Sequence, residues 1–216
     1  DNALISGDNV PDIERLATNG VMPIQPVIAR KSVLYIDRSR RKVMQIGFDL
    51  ENDGETDREL SVGSEHITLS GVRLGPLAYA KRPDPRLYFD REDGQQVGMT
   101  FFPEQKVVAF SRRTTEGTFE SRAVIPGATG KPDQLWVIVK RTINGVTKRY
   151  VELVEGAHEG LEDRDWMSLQ TDSAIVLTGL TSTTLTVAHL EGKTVDVVKN
   201  GSNHVEHVVN GGVVTL

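Results

Sequence analysis

The 216-residue sequence predicts an all-β fold, in which propeller-like blades of antiparallel strands are followed by a small β-module. Three observations lead to this prediction. Tight-turn dipeptides separate apolar runs, an apolar-aromatic strand motif recurs at intervals of about 50 residues, and the final part of the chain consists of short Thr- and Val-rich runs. A chain of this length can form one large or two small domains and can bury a substantial core.

The clearest turn is the Asn144-Gly145 dipeptide inside the segment DQLWVIVKRTINGVTKRYVELVE. A type I′ hairpin turn requires positive φ at both central residues, which Asn and Gly adopt at little cost. Counting outward from the turn predicts apolar pairs at the root of the hairpin, with Trp136 opposite Leu153. It also predicts two opposed pairs of cations near the tip, Lys140 with Arg149 and Arg141 with Lys148. We therefore expect a hairpin that is buried at its root on both faces and charged near its tip.

The four cations near the tip, Lys140, Arg141, Lys148 and Arg149, require an explanation because directly opposed like charges destabilise a strand pair. They form either a solvated end that discourages edge-to-edge aggregation or a surface that binds an anion or a partner protein. We take all four as candidate partner-binding residues. If a partner supplies the compensating acidic groups, replacing all four with Gln is expected to keep or slightly raise the stability of the isolated chain while weakening assembly.

A short motif recurs along the middle of the chain. LYIDR at Leu34–Arg38 is matched by LYFDR at Leu87–Arg91, offset by 53 residues, and LWV at Leu135–Val137 follows 48 residues later. Each copy begins a hairpin, as the blades of a β-propeller do. We expect the second hairpin to continue through Lys106–Arg113 and Thr118–Ile125 into a four-stranded meander. Chance similarity is the alternative explanation, because β-rich chains favour Leu, Tyr and Ile.

These signals divide the chain into four parts. Residues 1–22 form an N-terminal segment with a short helix expected at Pro11–Thr18, residues 23–155 form the propeller-like domain, residues 156–173 form an acidic linker, and residues 174–216 form the small β-module. Strands of the module are expected at Ala174–Leu177, Thr184–Val187, Lys193–Val198, His204–Val209 and Val213–Leu216. Because the chain begins with Asp and ends on GGVVTL, which reads as the middle of a strand, we expect a fragment of a longer protein with a truncated module.

The composition excludes several classes of protein. With no cysteine, the chain forms neither disulfides nor thiolate metal sites, which fits assembly in a reducing compartment. A net charge of −5 argues against a general nucleic-acid binder, whose binding domain is usually strongly basic. No apolar run is long enough to predict a membrane-spanning segment, and the first 30 residues lack the layout of a signal peptide.

Candidate metal and catalytic motifs fail on spacing. The acidic residues of the DLENDG segment, from Asp49 to Gly54, follow the first half of a calcium loop, but the position that needs a bidentate Glu holds Leu60. His204 and His207 are three residues apart on an expected strand, so they point to opposite faces. No nucleophile-elbow, zinc-protease or phosphate-loop motif is present. We therefore predict a protein that is not an enzyme, with no catalytic residues, no metal site and no cofactor.

Three segments, PVIARKSVLYIDRSRRKV, LWVIVKRTINGVTKRYVELVE and HLEGKTVDVVKNG with the following NGGVVTL, carry a resemblance to a known family. Together they resemble the tail nozzle proteins, also called the tail tubular protein B type, of short-tailed bacteriophages and related prophages. The resemblance covers about residues 23–216, in the order found toward the C-terminal part of those longer proteins. No single segment is decisive, so the resemblance rests on the occurrence of all three segments in this order.

The resemblance implies a structural virion protein, repeated around the tail axis as a homo-oligomeric ring that is commonly a hexamer. The neighbours of such a ring are an adaptor or portal on one side and fibres or a plug on the other. Double-stranded DNA passes through its channel during ejection without sequence-specific binding. The resemblance further implies a location in the virion tail, after assembly in the host cytoplasm, and it supplies no catalytic residues.

Two other readings stay open. A virion-associated β-propeller domain that binds or cleaves glycans needs aromatic platforms and convergent carboxylates in a pocket, and the aromatic content of 6% offers little for the platforms. A free-standing cellular propeller adaptor is the third reading. An image of the full-length protein, either a ring with a pore or a lone particle, separates the tail protein from both.

Overall fold

The computed structural model describes residues 18–49, 54–67, 73–154, 171–172, 175, 177–179, 181–199, 202–203 and 205–216. These residues form antiparallel strands joined by turns and short 3-10 helices, which confirms the all-β prediction. The helix expected at Pro11–Thr18 lies, apart from Thr18, outside the described residues. So does most of the expected linker at 156–173.

The first two sheets are four-stranded meanders in which each strand pairs with the next along the chain. The first sheet contains β1 (Val27–Ala29), β2 (Ser32–Ile36), β3 (Val43–Asp49) and β4 (Gly54–Glu59). The second contains β5 (Leu74–Ala80), β6 (Arg86–Arg91), β7 (Gln96–Phe102) and β8 (Val107–Arg113). Short 3-10 helices at Val62–Ile67 and Pro103–Gln105 lie in the connections.

The third sheet has three strands in the order β11-β10-β9. Its strands are β9 (Thr118–Ile125), β10 (Gln134–Ile143) and β11 (Val146–Val154). The expected meander is therefore wrong in one respect, because β9 leaves the second sheet and pairs with β10 instead. The fourth strand of the second sheet is β5, which sequence reasoning did not identify. Its Gly-Pro pair at residues 75–76 coincides with a register shift in the pairing of β5 with β6.

The recurring motif occupies the same position in each sheet. Leu34, Leu87 and Leu135 all lie on the second strand of their sheets and are all buried. The repeat in the sequence is thus a repeat of strand position. The aspartates of the first two copies nevertheless have different partners, since Asp37 caps a local turn whereas Asp90 pairs with a residue of the third sheet.

Asp37 organises the connection between β2 and β3. Its carboxylate accepts hydrogen bonds from the Ser39 hydroxyl at 2.6 Å and from the backbone N–H groups of Ser39, Arg41 and Lys42. Burial opposes ionisation of this side chain, but the hydrogen bonds outweigh burial and lower the pKa of Asp37. A lowered pKa contributes stability that is present above the ordinary Asp range and lost as the pH falls through the native value.

Replacing Asp37 with Asn is expected to reduce stability most at neutral pH. Asn cannot supply the charge that these donors stabilise. The wild-type chain should therefore have a higher midpoint urea concentration of unfolding than the variant, and this gap between the two midpoints should narrow as the pH falls below about 4. Urea unfolding at several pH values measures the gap. A gap that stays constant down to strongly acidic pH would show that the carboxylate charge contributes nothing.

Two hydrophobic clusters hold the three sheets together. The larger joins Leu34 and Ile36 of the first sheet to Leu87 and Phe89 of the second. The smaller joins Tyr88, on the opposite face of β6, to a row of buried residues in β10, namely Leu135, Val137 and Val139. The second sheet is consequently buried on both faces. Among the described residues, no sheet covers the other face of the first sheet or of the third sheet, although Tyr35 and Met44 on that face of the first sheet are buried.

The hairpin of β10 and β11 follows the predicted register residue by residue. Asn144 and Gly145 have φ values of +49° and +72°, as the turn requires, and the two opposed cation pairs are present. The expectation that both faces of the root are buried is wrong. Val137 and Val139 are buried against the second sheet, but Val151 is 70% exposed and Leu153 is 44% exposed on the other face. Of the sheets that the structure describes, only the second packs face to face with this hairpin, so one face is covered and the other is exposed.

Replacing Gly145 with Val is expected to destabilise the fold by at least about 1–2 kcal/mol, because an L-residue with a branched side chain is strained at positive φ. The effect is conformational, since a Cβ at this position would contact nothing within 4 Å. Gly63→Val is a matched control, because Gly63 also has open space but an ordinary φ. Thermal unfolding that shows equal losses for both variants would contradict this account of the turn.

The C-terminal module consists of short strands paired as nested hairpins. Its strands are β12 (Thr184–Thr186), β13 (Thr194–Val195), β14 (Val198–Lys199), β15 (Ser202–Asn203), β16 (His207–Val208) and β17 (Val213–Thr215). The outer pair is β12 with β17, the middle pair β13 with β16, and the inner pair β14 with β15. Glu191 accepts hydrogen bonds from the N–H groups of Gly211 and Gly212, which closes the turn before β17.

Candidate partner-binding surface

The four predicted partner-binding cations lie on two different faces of the third sheet. Lys140 and Arg149 are opposite one another on the outer face, and Arg141 and Lys148 are opposite one another on the face toward the second sheet. We call these the outer and inner pairs. The structure therefore brings the four residues to one end of the hairpin but does not place them on one surface.

Arg141 is a structural residue of the inner face. Its side chain is 10% exposed and donates two hydrogen bonds to Glu152, from Nε at 2.8 Å and from Nη2 at 2.9 Å. It also donates to the carbonyl oxygen of Glu116 and lies 3.6 Å from Asp172. The hydrogen bonds with Glu152 raise the pKa of Arg141. Because these donors are engaged within the chain, Glu152 compensates the charge of Arg141. The sequence alone predicts instead that a partner compensates that charge.

Arg149 is compensated on the outer face. It donates to Glu120 from Nε at 2.6 Å and from Nη2 at 3.2 Å, although its side chain remains 66% exposed. The hydrogen bond with Arg149 lowers the pKa of Glu120 and the same contact raises the pKa of Arg149. Glu120 is the residue of β9 that the register shift opposite Ile138 and Val139 leaves without a partner in β10. The register shift in the pairing of β9 with β10 thus places Glu120 where it compensates the charge of Arg149.

The remaining two cations are not hydrogen-bonded to a described carboxylate, although the charge of Lys140 contributes to the lowered pKa of Glu120. Lys140 and Lys148 are exposed, and neither forms an ion pair with any residue that the structure describes. Both lie near the tip of the hairpin, on opposite sides of the sheet. Of the four sequence-predicted residues, these two are the ones positioned to contact a partner through their charge.

The outer face of the third sheet carries an apolar surface that sequence reasoning assigned to the core. Ile125 is 49% exposed, while Trp136 and Ile138 are half-buried beside the exposed Val151 and Leu153. We call these five residues, together with Lys140 and Arg149, the third-sheet outer face. Contiguous exposed apolar surface of this kind marks interaction sites more often than it occurs without a role.

The layer between the second and third sheets contains charge. Arg122 of β9 forms an ion pair with Asp90 of β6, with side chains 4% and 9% exposed, and also donates to the carbonyl oxygen of Pro76. Arg113 lies over the ring of Tyr88 at 6.0 Å and donates to Gln96, and burial lowers the pKa of Arg113. Arg122 joins the third sheet to the second, whereas Arg113, Tyr88 and Gln96 all belong to the second sheet.

Two open clefts lie beside Tyr79 and Lys81. Asp133 lines one of them, but its carboxylate accepts hydrogen bonds from the backbone N–H groups of Lys81, Arg82 and Gly127. Burial opposes ionisation of Asp133, and these bonds outweigh it and lower its pKa. The carboxylate therefore stabilises loops and does not converge with a second carboxylate among the described lining residues.

Most of the residues considered as metal ligands lie outside the described part of the chain. The side chain of Asp49, residues 50–53 and His204 lie outside the described residues. Within the described ranges, no group of three or more His, Asp or Glu side chains is placed to hold one metal ion. No helix found there is long and apolar enough to cross a bilayer.

No protein-family model matches the chain, and no curated protein sequence matches it.

Proposed function

We propose that this chain is a structural component of the tail nozzle of a short-tailed bacteriophage. In this role it forms part of the channel for DNA ejection and connects a portal or adaptor to distal parts of the tail. The ordered resemblance of three segments supports the proposal. The observation that carries it is a stack of three antiparallel sheets, in which the middle sheet is buried on both faces and each outer sheet exposes apolar side chains on its other face.

Such a stack is suited to a mechanical role. Its middle sheet is covered on one side by packed apolar residues and on the other by apolar residues together with the buried Arg122–Asp90 ion pair. The element therefore resists deformation, while the exposed parts of its end faces remain available for neighbours. Propeller-like blades closed into a ring, commonly of six subunits, provide many copies of these faces around one axis. The acidic balance of the chain, −5, lets double-stranded DNA pass without being held.

The proposal places the protein in the virion, after assembly in the host cytoplasm, and makes it neither an enzyme nor a cofactor-binding protein. Its partners are further copies of itself and the tail proteins on either side. Glycan binding is the competing activity. It finds little support in the described clefts, where Asp133 is already engaged by backbone groups.

Removing the gene is expected to give particles that package DNA but lack a complete tail and do not infect. Complementation with the wild-type gene should restore the tail, as seen by electron microscopy and plaque counts. Particles that remain fully infectious without the protein, and with complete tails, would contradict the proposed function.

The two unpaired cations provide a finer prediction. Lys140→Gln with Lys148→Gln should leave the melting temperature of the isolated chain unchanged within about 2 °C, because neither lysine makes an ion pair in the described structure. The same variant should yield fewer complete tails. Lys31→Gln with Lys131→Gln, which removes two exposed lysines outside the hairpin, is the matched control. Equal tail yields for both variants would show that the hairpin lysines only keep the hairpin end solvated and do not contact a partner.

A further inference from the structure

The outer faces of the first and third sheets are chemically complementary. On the first sheet, Ile28, Val33 and Ile46 form one row across β1, β2 and β3, and Phe48 lies beside Ile46 on the same face. Ile28 is 73% exposed, Val33 is 37% exposed and Phe48 is 60% exposed. We call these four residues, together with Glu55 of β4, the first-sheet outer face.

The charges at the margins of the two faces are opposite in sign. Glu55 is opposite Phe48, is exposed, and makes no ion pair with any described residue. On the third-sheet outer face, Lys140 is likewise exposed and without an ion pair in the described structure. Asp57 and Glu59 add to the acidic character of the first sheet, although Asp57 accepts from the Tyr35 hydroxyl and Glu59 pairs with Lys42. One face is thus apolar and acidic, and the other is apolar and basic.

The apolar layouts also correspond. The third-sheet outer face consists of cross-strand rows, with Trp136 opposite Leu153 and Ile138 opposite Val151. Rows of large apolar side chains on two sheets interdigitate when the sheets stack about 10 Å apart. Within this chain the third sheet already packs on the second in this manner, so the protein uses face-to-face sheet packing as its regular means of burial.

We propose that the third-sheet outer face binds the first-sheet outer face of a second copy of this chain. The occupant is a second copy because the first sheet supplies apolar rows that match those of the third sheet, together with the exposed carboxylate of Glu55 opposite in charge to Lys140. Pairing two third-sheet faces would bring the Lys140 side chains of two copies to like surfaces, where Glu120 is already hydrogen-bonded to Arg149 and so offers Lys140 no free carboxylate. The contact joins two different surfaces, so it propagates into a closed ring or an open filament. It deepens the proposed tail function by naming the surfaces that join its subunits.

The expected strength of a single contact is low. A face of three strands spaced about 4.8 Å apart, with up to ten residues rising about 3.4 Å each, offers at most about 490 Å² per partner, below the roughly 800 Å² of a standard interface. We therefore expect association in the micromolar to millimolar range. In a closed ring each subunit makes two such contacts, which raises the stability of the assembly.

Two single-face variants test the arrangement directly. Val151→Asp places a charge on the third-sheet outer face, and Ile28→Asp does so on the first-sheet outer face. Each variant alone should sediment as a monomer at concentrations where the wild-type chain associates. An equimolar mixture should form a one-to-one complex and nothing larger, because the intact third sheet of Ile28→Asp can still bind the intact first sheet of Val151→Asp.

Val208→Asp is the matched control, since Val208 is 63% exposed on the C-terminal module and the variant should associate as the wild type does. Circular dichroism and thermal unfolding check that all variants are folded.

A charge exchange adds a second readout. Lys140→Glu and Glu55→Lys should each weaken association about tenfold, and the two changes together in one chain should restore it.

Three outcomes would overturn the inference: a wild-type chain that stays monomeric up to about 1 mM, loss of association on only one of the two faces, or a mixture that forms no complex. A monomeric wild-type chain would leave the tail function to be judged by the gene-removal experiment, which does not depend on this contact. Non-infectious, tailless particles combined with a failed mixing experiment would mean that other surfaces join the subunits.

Discussion

Replacing Asp90 with Ala is expected to lower the free energy of unfolding by about 3–5 kcal/mol, because it leaves the guanidinium of Arg122 buried without its anion. Both side chains are nearly inaccessible, at 9% exposed for Asp90 and 4% for Arg122, so water cannot replace the lost partner. The pair joins the second and third sheets, and the loss should appear in urea unfolding of the whole chain.

A double-mutant cycle separates the interaction energy of Asp90 with Arg122 from the cost of burying the two charges. Asp90 Oδ1 and Arg122 Nε find no further hydrogen-bond partner among the described residues, so the pair is incompletely satisfied. Replacing both residues, Asp90 with Ala and Arg122 with Met, should therefore cost less than Asp90→Ala alone. Glu104→Ala breaks the exposed Arg30–Glu104 pair and should change stability by less than about 1 kcal/mol. A double variant as unstable as the two single losses added together would contradict this reading.

Replacing Arg141 with Gln is expected to cost about 2–4 kcal/mol, because Glu152 loses both hydrogen bonds and the carbonyl of Glu116 loses its donor. Lys148, directly opposite Arg141, is exposed and makes no ion pair with the described residues. Lys148→Gln should therefore change stability by no more than about 0.5 kcal/mol. Thermal and urea unfolding of both variants measure the difference.

This prediction corrects the expectation that all four hairpin cations can be removed without loss of stability. If Arg141→Gln were as stable as Lys148→Gln, the contacts with Glu152 and Glu116 would contribute nothing and the four cations would again be equivalent. Arg141→Lys refines the result. Lysine keeps the charge but cannot make the paired hydrogen bonds, so most of the loss should remain.

Local chemistry predicted the hairpin of β10 and β11 in detail. Asn144-Gly145 defines the turn type, and the turn defines the register, so every opposed pair from Ile143 outward could be counted from the sequence. The same count also places Glu152 on the face of Arg141, a signal of cis pairing that the emphasis on directly opposed residues missed. Register was predictable because two residues determine it.

Long-range features were not predictable in the same way. Which sheet β9 joins depends on the packing of Phe119 and Arg122 against the second sheet, and no local pattern distinguishes that choice from a continued meander. Burial of the hairpin root on only one face depends likewise on how many sheets pack against it. The ion pair of Arg149 with Glu120 requires the register shift in β9, which the strand pattern does not reveal.

The most direct test of the proposed structural role is an electron micrograph of the purified protein, at the concentration at which tails assemble. The account predicts rings with a central pore, most commonly of six subunits, in which each subunit contributes a stack of three sheets. A population of lone particles without a pore, persisting when the neighbouring tail proteins are added, would contradict it.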